Sequence, residues 1–122
     1  MLPTLDKFLS MREGNSYVDH PHFSMLYVRK WTVPAVMDGE FWYCTPTLTI
    51  ANVLATTRNA GAFTRLVDFL SKKDLAIYVE NVQTERFANG LRRMGFKQVN
   101  LHTGVHFLKY FEGRLTKEAR FF

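Results

Sequence analysis

A strand–helix–strand unit in the middle of the chain constrains the fold more than any other feature. Residues 48–55 (LTIANVLA) form an almost continuous apolar run, which is typical of a central strand. Within residues 63–70, apolar side chains recur at the i, i+3, i+4, i+7 spacing of a helix with one buried face. Residues 75–79 (LAIYV) are short and apolar, as a parallel strand covered on both faces is. Two parallel strands joined by a helix need a right-handed crossover, so this unit predicts a mixed sheet.

The N-terminal part of the chain adds a helix and a hairpin to this unit. Thr4 is a suitable N-cap for a short amphipathic helix that Gly14 would end. The pair Asp38-Gly39 is a turn signal between two segments rich in strand-forming residues, the first of which ends at Pro34. The elements predicted here are a helix within residues 4–14, a loop over residues 15–23, and strands over residues 25–33 and 40–45.

The C-terminal part continues with a helix and two strands. Thr84 is a fair N-cap, Gly95 can end the helix, and Gly104 marks a turn between the strands. The order of elements predicts one α/β (α+β) domain over residues 1–122, with a mixed central sheet and helices on both of its faces. The elements predicted here are a helix between Thr84 and Gly95, strands over residues 97–101 and 105–111, and a helical turn within residues 112–122.

Composition excludes several classes of protein. A content of 47% hydrophobic and 15% aromatic residues favours a packed core over disorder. The single cysteine, Cys44, excludes an internal disulfide and a cysteine-based zinc site, and its strand context predicts a buried thiol. The apolar runs are too short to span a membrane, and the N-terminus lacks the features of a signal peptide. We therefore expect a soluble cytoplasmic protein.

The formal net charge of +5 comes entirely from residues 85–122, where eight bases face three acids. Three interpretations stay open. Arg92-Arg93 can complement a helix C-terminus beside a solvated tail, or the bases around Arg86 and Lys97 can bind a phosphate or an acidic acceptor. The whole segment can also contact nucleic-acid phosphates, although no recognised RNA- or DNA-binding signature accompanies it. The charge therefore favours a partner at the C-terminus over nucleic acid. The bases left without an intramolecular explanation are Arg114, Lys117 and Arg120.

Two segments resemble a known family. Residues 77–96 (IYVENVQTERFANGLRRMGF) resemble the fifth strand and fourth helix of the GNAT acyltransferase superfamily, most clearly in the apolar strand and the pair Gly95-Phe96. Upstream, residues 48–55 look like the fourth strand, and residues 58–63 (RNAGAF) look like the pyrophosphate loop.

The resemblance covers residues 48–96 by motif and the remainder by the order of elements. The chain lacks the family's usual first strand, and it has Phe63 where the loop usually has a small residue. Similar abbreviated GNAT-like chains occur among small tailed-bacteriophage proteins, some of which are virion components. The resemblance implies a shortened GNAT-like domain with a basic tail over residues 112–122.

The resemblance also implies that the chain binds acetyl-CoA. Main-chain N–H groups at a helix N-terminus bind phosphates without side-chain charge, and a glycine lets the diphosphate approach the backbone closely. Two other interpretations stay open: the loop can be an ordinary strand-to-helix turn, and Asn52 can simply face solvent or a helix cap. The residues expected at the diphosphate are Arg58, Asn59, Ala60, Gly61 and Ala62, and those expected at the pantetheine arm are Asn52, Val53 and Leu54.

Acyl transfer to an amine needs a base for the ammonium proton, main-chain amides for the thioester carbonyl and an acid for the thiolate. The family's acid is a helix tyrosine, whose position here is Leu91, and Tyr78 is expected to pack and not to reach the sulfur. Glu80, after the fifth strand, is the best-placed candidate base, and Glu40 is the second. The missing acid and the altered loop predict weak or absent catalysis.

The histidine pairs His20/His22 and His102/His106 have no acidic or cysteine partner at ligand spacing, so we expect surface or hydrogen-bonded core histidines and no metal site.

The first functional hypothesis is a GNAT-like protein that binds acetyl-CoA and can acetylate an amine. The alternative is an inactive GNAT-derived structural or interaction protein, for example of a phage virion, with a protein partner or a homo-oligomer contact at its C-terminal tail. A nucleic-acid-binding module is favoured least.

Overall fold

The computed structural model describes residues 1–11, 14–37, 40–56, 61–73, 75–110 and 115–117. The described helices are α1 (Leu5–Ser10), α2 (Ala62–Lys72) and α3 (Glu85–Arg93). The described strands are β1 (Gly14–Tyr17), β2 (Phe23–Met37), β3 (Glu40–Ala55), β4 (Ala76–Val79), β5 (Lys97–Leu101), β6 (Gly104–Lys109) and β7 (Leu115–Thr116). None of the helices among these residues is long and apolar enough to cross a membrane.

The strands form one mixed sheet, which confirms the predicted fold class. Six of them lie in the order β1-β2-β3-β4-β6-β5, and β7 pairs with β3. β3 and β4 are parallel, whereas the other pairs recorded among the described residues are antiparallel. β2 also contacts β5, although three strands lie between them in the sheet. The sheet is therefore strongly curved.

The central unit and the helix caps agree with the sequence. β3, α2 and β4 form the predicted crossover. The hydroxyl of Thr4 accepts a hydrogen bond from Lys7 N, and the hydroxyl of Thr84 accepts one from Phe87 N, each at 3.2 Å. Both predicted N-caps are therefore confirmed, and each satisfies a helix N–H that would otherwise lack a partner.

The predicted hairpin is confirmed, but its strands are longer than expected. β2 and β3 pair from Met37↔Glu40 to Phe23↔Ala55, while Asp38 and Gly39 lie outside the described residues. The prediction that the first strand ends at Pro34 is wrong, and so is the division of β3 at Pro46. Pro46 lies where the register shifts between Trp31 and Val33 of the partner strand, and such an irregularity tolerates a residue without an N–H.

Two short strands lie where none was predicted. β1 pairs with β2 at the edge of the sheet, inside the segment predicted as loop, and its largely exposed sequence GNSY has no apolar face that could signal a strand. β7 pairs with Tyr43 and Cys44 of β3, so the helical turn predicted for this segment is wrong over Leu115–Thr116. A short edge strand can be held by main-chain hydrogen bonds alone, which leave little trace in a sequence. The rest of the segment 112–122, apart from Lys117, lies outside the described residues.

The described helices pack on one face of the sheet, so the prediction of helices on both faces is wrong for them. Leu5 of α1, Leu66 of α2 and Leu91 of α3 belong to one buried cluster with Leu48 and Ile77 of the sheet. The physical reason lies in the two crossovers, β3–α2–β4 and β4–α3–β5, which move in the same direction across the sheet. Right-handed crossovers in one direction leave their helices on the same side.

A second apolar cluster fills the opposite face. It contains Cys44, Tyr78, Val99 and Leu108, with Leu115 of β7 packed against it. Cys44 is fully buried, which confirms the prediction for its thiol. The described members of this cluster lie mainly in β3, β4, β5, β6 and β7.

Candidate functional site

The site predicted by sequence lies where β3 and β4 separate. The two parallel strands pair over four residues, from Thr47↔Ala76 to Ile50↔Val79. Glu80 N then donates to Ile50 O at 3.1 Å, while β3 continues to Ala55 without a further partner from β4. One edge of β3 beyond Ile50 is thus left open among the described residues.

A β-bulge marks this point of β3. Tyr27 is paired with Asn52 and Val28 with Ile50, so Ala51 is the extra residue. The polar Asn52 inside the apolar run of residues 48–55 is consistent with this irregularity. The side chain of Asn52 is exposed, Val53 is half-buried against the main core, and Leu54 is 56% exposed.

The open edge forms one wall of a cleft of about 140 Å³. Phe87 of α3 narrows it, and the Phe87 ring meets the Phe63 ring of α2 edge-on at 5.2 Å between centroids. Sites for small ligands usually enclose roughly 300–1,000 Å³, so this cleft is smaller than such a site. The residues that line it include Ala51, Asn52, Val53, Glu80, Asn81 and Phe87.

The predicted diphosphate loop is described only at its end. Arg58, Asn59 and Ala60 lie outside the described residues. Gly61 is the N-cap of α2 with φ of +75°, and no side chain caps this helix there. Ala62 is buried as the first residue of α2. Because Gly61 has no side chain, the N-cap residue itself supplies no acceptor to the first N–H groups of α2.

The candidate base Glu80 is held by an arginine. Arg29 Nη1 lies 3.0 Å from Oε1 and 2.9 Å from Oε2 of Glu80, and the two side chains are only 28% and 23% exposed. The sequence did not predict this partner, because Arg29 is 51 positions away along the chain. A charged residue between strand-forming residues was the only signal. The pair ties the carboxylate beside the cleft to β2.

The second candidate base, Glu40, is not brought to the cleft. It begins β3 at the opposite end from Ile50, and ten strand residues span roughly 30 Å. Its carboxylate pairs with Lys117 at 3.0 Å, and the Lys117 ammonium also lies over the Trp42 ring at 4.0 Å. Lys117 therefore has intramolecular partners, in contrast to the expectation from sequence. Arg114 and Arg120 lie outside the described residues.

The structure provides no proton donor from Leu91 or Tyr78. Leu91 is fully buried in the main core, and Tyr78 packs in the second cluster as predicted. The Tyr78 ring stacks on His106 at 5.4 Å, and burial, followed by the nearby charge of Glu80, raises the pKa of Tyr78. The Tyr78 hydroxyl therefore stays protonated near neutral pH.

His106 is a hydrogen-bonded core histidine, as the sequence predicts. Its Nδ1 accepts a hydrogen bond from Asn81 N at 2.9 Å, and its Nε2 lies 3.0 Å from Thr103 Oγ1. Burial lowers the pKa of His106, with a smaller opposing effect from Glu80. The acceptor role of Nδ1 requires the neutral ring. Among the described residues, no group of three or more His, Cys, Asp or Glu side chains is placed to hold a metal ion.

Part of the basic C-terminal segment has a local explanation. Arg92 pairs with Glu85 at 2.9 Å, and it also donates to Asn89 and Gln98 at 2.8 and 2.7 Å. Its guanidinium lies over the Phe107 ring at 5.4 Å. These contacts join the last turn of α3 to β5 and β6, so Arg92 has structural partners without any external anion.

Comparison with known proteins adds no relative: no family model, no curated protein and no solved structure matches the chain. The geometry of the chain itself is therefore what bears on its function.

Proposed function

We propose that this chain is a GNAT-like protein that binds acetyl-CoA in the cleft where β3 and β4 separate. In this proposal, β3 and β4 correspond to the fourth and fifth strands of the family. The observation that carries it is the end of the parallel pairing at Ile50↔Val79, beside the bulge at Ala51. A parallel pair that stops in mid-sheet leaves the main-chain N–H and C=O groups of one strand edge available to an added extended chain.

The open edge of β3 suits the pantetheine arm. This arm is an extended chain with two amides, and an extended amide chain can pair with a free strand edge by main-chain hydrogen bonds. Ala51, Asn52 and Val53 offer that edge, and the exposed Asn52 can contribute its side-chain amide. The N-terminus of α2, where the N-cap Gly61 has no capping side chain, supports a diphosphate bound nearby.

The residues at this site support binding of the thioester better than they support transfer of its acetyl group. Leu91 cannot protonate a thiolate, and the Glu80 carboxylate is already engaged by Arg29. Because a thiolate is a tolerable leaving group, transfer to an amine would be slowed by these features and not abolished. We therefore propose tight or moderate binding of the thioester combined with slow acetylation.

A second candidate is a GNAT-derived interaction protein without activity. The specific observation in its favour is the small volume of the cleft, about 140 Å³, with Phe87 across it. This candidate predicts no acetyl-CoA binding and a stable oligomer or a partner complex instead.

Calorimetry with acetyl-CoA separates the two candidates. We expect measurable binding by the wild-type protein and about tenfold tighter binding by Phe87→Ala, because removal of the ring widens the cleft by roughly the volume of a pantetheine segment at a gain of about 1.4 kcal/mol. Phe41→Ala is the matched control, since Phe41 is an exposed aromatic residue at the far end of β3 and its loss should leave the affinity unchanged.

Failure of both the wild-type protein and Phe87→Ala to bind acetyl-CoA at about 1 mM would contradict the proposal. If sedimentation or light scattering then shows a defined oligomer, the second candidate gains support. A monomeric protein that turns over acetyl-CoA would exclude that candidate.

A further inference from the structure

A second cavity lies apart from the cleft, between α1, the segment 19–22 and α2. Its volume is about 410 Å³, which falls in the range of small-molecule sites. Ala62, Leu66 and Phe69 line it from α2, whereas Phe63 points toward Phe87 and the acetyl-CoA cleft. The cavity and the cleft therefore share no lining residue, and only the cavity is lined by α2.

The floor and the mouth of this cavity differ in chemistry. Leu5, Ala62 and Leu66 are almost fully buried and form an apolar floor. Asp6 and Asp19 are exposed and lie among the lining residues, so their carboxylates stand at the open side. A ligand that fits this distribution has an apolar body and a charged or polar end.

The charge of the lining favours a cation. Among the described residues of the lining, the two carboxylates of Asp6 and Asp19 and the one guanidinium of Arg65 give a formal charge of −1, with the imidazoles left out of the count. Burial, with a further contribution from the charge of His22, lowers the pKa of His20 despite the opposing effect of Asp19. Because its pKa is lowered, His20 adds less positive charge to the lining than an exposed histidine would.

Hydrogen bonds within the protein hold the segments that form the walls of this cavity. Asp19 N donates to Pro3 O at 2.8 Å, and Thr4 and Asp19 form an isolated parallel bridge between the start of α1 and this segment. His22 N donates to His20 Nδ1 at 3.1 Å, and Thr56 N donates to His22 O at 2.9 Å. A cavity with such fixed walls loses little conformational freedom when it binds a ligand, which favours affinity.

We propose that this cavity is a binding site for a small organic cation with an apolar or aromatic body, such as an aryl amidine or an arylalkyl amine. The apolar body lies on Leu5 and Leu66, and the cationic end is bound by the carboxylates of Asp6 and Asp19. This proposal does not rest on acetyl-CoA binding, since the cavity shares no lining residue with the cleft between β3 and β4.

A charge series of one molecular shape tests the proposal on the unmodified protein. Benzamidine, benzamide and benzoate are titrated into the full chain and followed by amide chemical shifts. We expect benzamidine to bind in the millimolar range with shifts confined to residues 4–6, 19–22 and 62–69, and to bind about tenfold more tightly than benzamide. Benzoate should bind more weakly than either.

Single substitutions test whether the carboxylates bind the cation. Asp6→Asn and Asp19→Asn should each weaken benzamidine binding by about tenfold and leave benzamide binding unchanged. Asp68→Asn is the matched control, because Asp68 is an exposed acid on α2 that does not line the cavity, and it should have no effect. Equal binding of benzamidine and benzamide, or tighter binding of benzoate, would overturn the proposal. Absence of localised shifts at about 10 mM benzamidine would also overturn it. None of these outcomes depends on whether acetyl-CoA binds.

Discussion

The contact between Arg29 and Glu80 decides what the carboxylate beside the cleft can do. Both side chains are largely buried, and Arg29 is also within 5.4 Å of the Tyr27 ring. The Arg29 guanidinium offsets the loss of water around the Glu80 carboxylate. Without its partner, either side chain would be a half-buried charge that this contact no longer compensates.

Replacement of this arginine should therefore cost more stability than replacement of an exposed base. We expect Arg29→Gln to lower the free energy of unfolding by about 1–3 kcal/mol, because it leaves the Glu80 carboxylate unpaired. Lys117→Gln, which breaks the exposed pair with Glu40, should cost about 0–1 kcal/mol. Urea denaturation measures both.

The double variant Arg29→Gln/Glu80→Gln tests the reason. It should regain part of the loss, because the unpaired charge is removed together with its partner. If the double variant is as unstable as the sum of the two single variants, the side chains do not interact as the distances indicate.

Residue chemistry could be predicted where it depends on neighbours in the chain, and not where it depends on pairing between strands. Thr4 and Thr84 were recognised as N-caps because a cap acts within three residues. Arg29 was not recognised as the partner of Glu80, because their contact requires the register of β2 with β3 and of β3 with β4. No local pattern encodes two such registers.

At the scale of elements, two glycines in or beside helices have opposite roles. Gly61 caps α2 with φ of +75°, and a Cβ there would lie 3.3 Å from Arg65 Nη1. Gly90 lies within α3, and a Cβ there would meet Arg93 Nη2 only at 4.0 Å, an ordinary contact. The first position requires a left-handed backbone, whereas the second gains from a better helix former.

Substitution by alanine should thus change stability in opposite directions. We expect Gly61→Ala to lower the free energy of unfolding by about 1 kcal/mol and Gly90→Ala to raise it by about 0.5–1 kcal/mol. Chemical denaturation of both variants under the same conditions measures the difference. Stabilisation by Gly61→Ala would show that the left-handed conformation is absent.

The elements themselves could be predicted to different degrees. α2, β4 and α3 have strong periodicity and caps, and their positions follow the prediction closely. β2 and β3 were divided at Pro34 and Pro46, because a proline usually ends a strand unless an irregularity accommodates it, and the irregularity arises only in the paired sheet. β1 and β7 are held mainly by their neighbours' main chains and give no apolar pattern.

At the scale of the whole molecule, two histidines link its stability to pH. His20 beside the second cavity and His106 beneath the cleft both have a pKa lowered below the ordinary value of 6.5, chiefly by burial. The folded chain therefore binds protons less readily than the unfolded chain. Their contribution to stability is fully present above about pH 6.5 and is lost as the pH falls from there toward the pKa of each folded imidazole.

We expect the free energy of unfolding to fall between about pH 7 and pH 5, and the fall to be smaller in His106→Asn and smallest in the double variant with His20→Asn. Urea denaturation at several pH values measures this dependence, and NMR titration of the imidazoles assigns it. An imidazole of His106 that titrates above 6.5 would contradict the assignment, since its Nδ1 could then not remain an acceptor for Asn81 N.

The pairing of β3 with β4 has a consequence for the whole sheet. The sheet has two antiparallel parts, β1-β2-β3 and β4-β6-β5. Among the described residues, the strand pairing between these parts consists of the four residue pairs of β3 with β4. The last main-chain bond of this junction, from Glu80 N to Ile50 O, lies at the inner end of the cleft. Loss of that single bond would extend the free edge of β3 as far as the carbonyl of Ile50. The size of the molecule that can bind between these two parts of the sheet therefore depends on how many of the main-chain hydrogen bonds between β3 and β4 are formed.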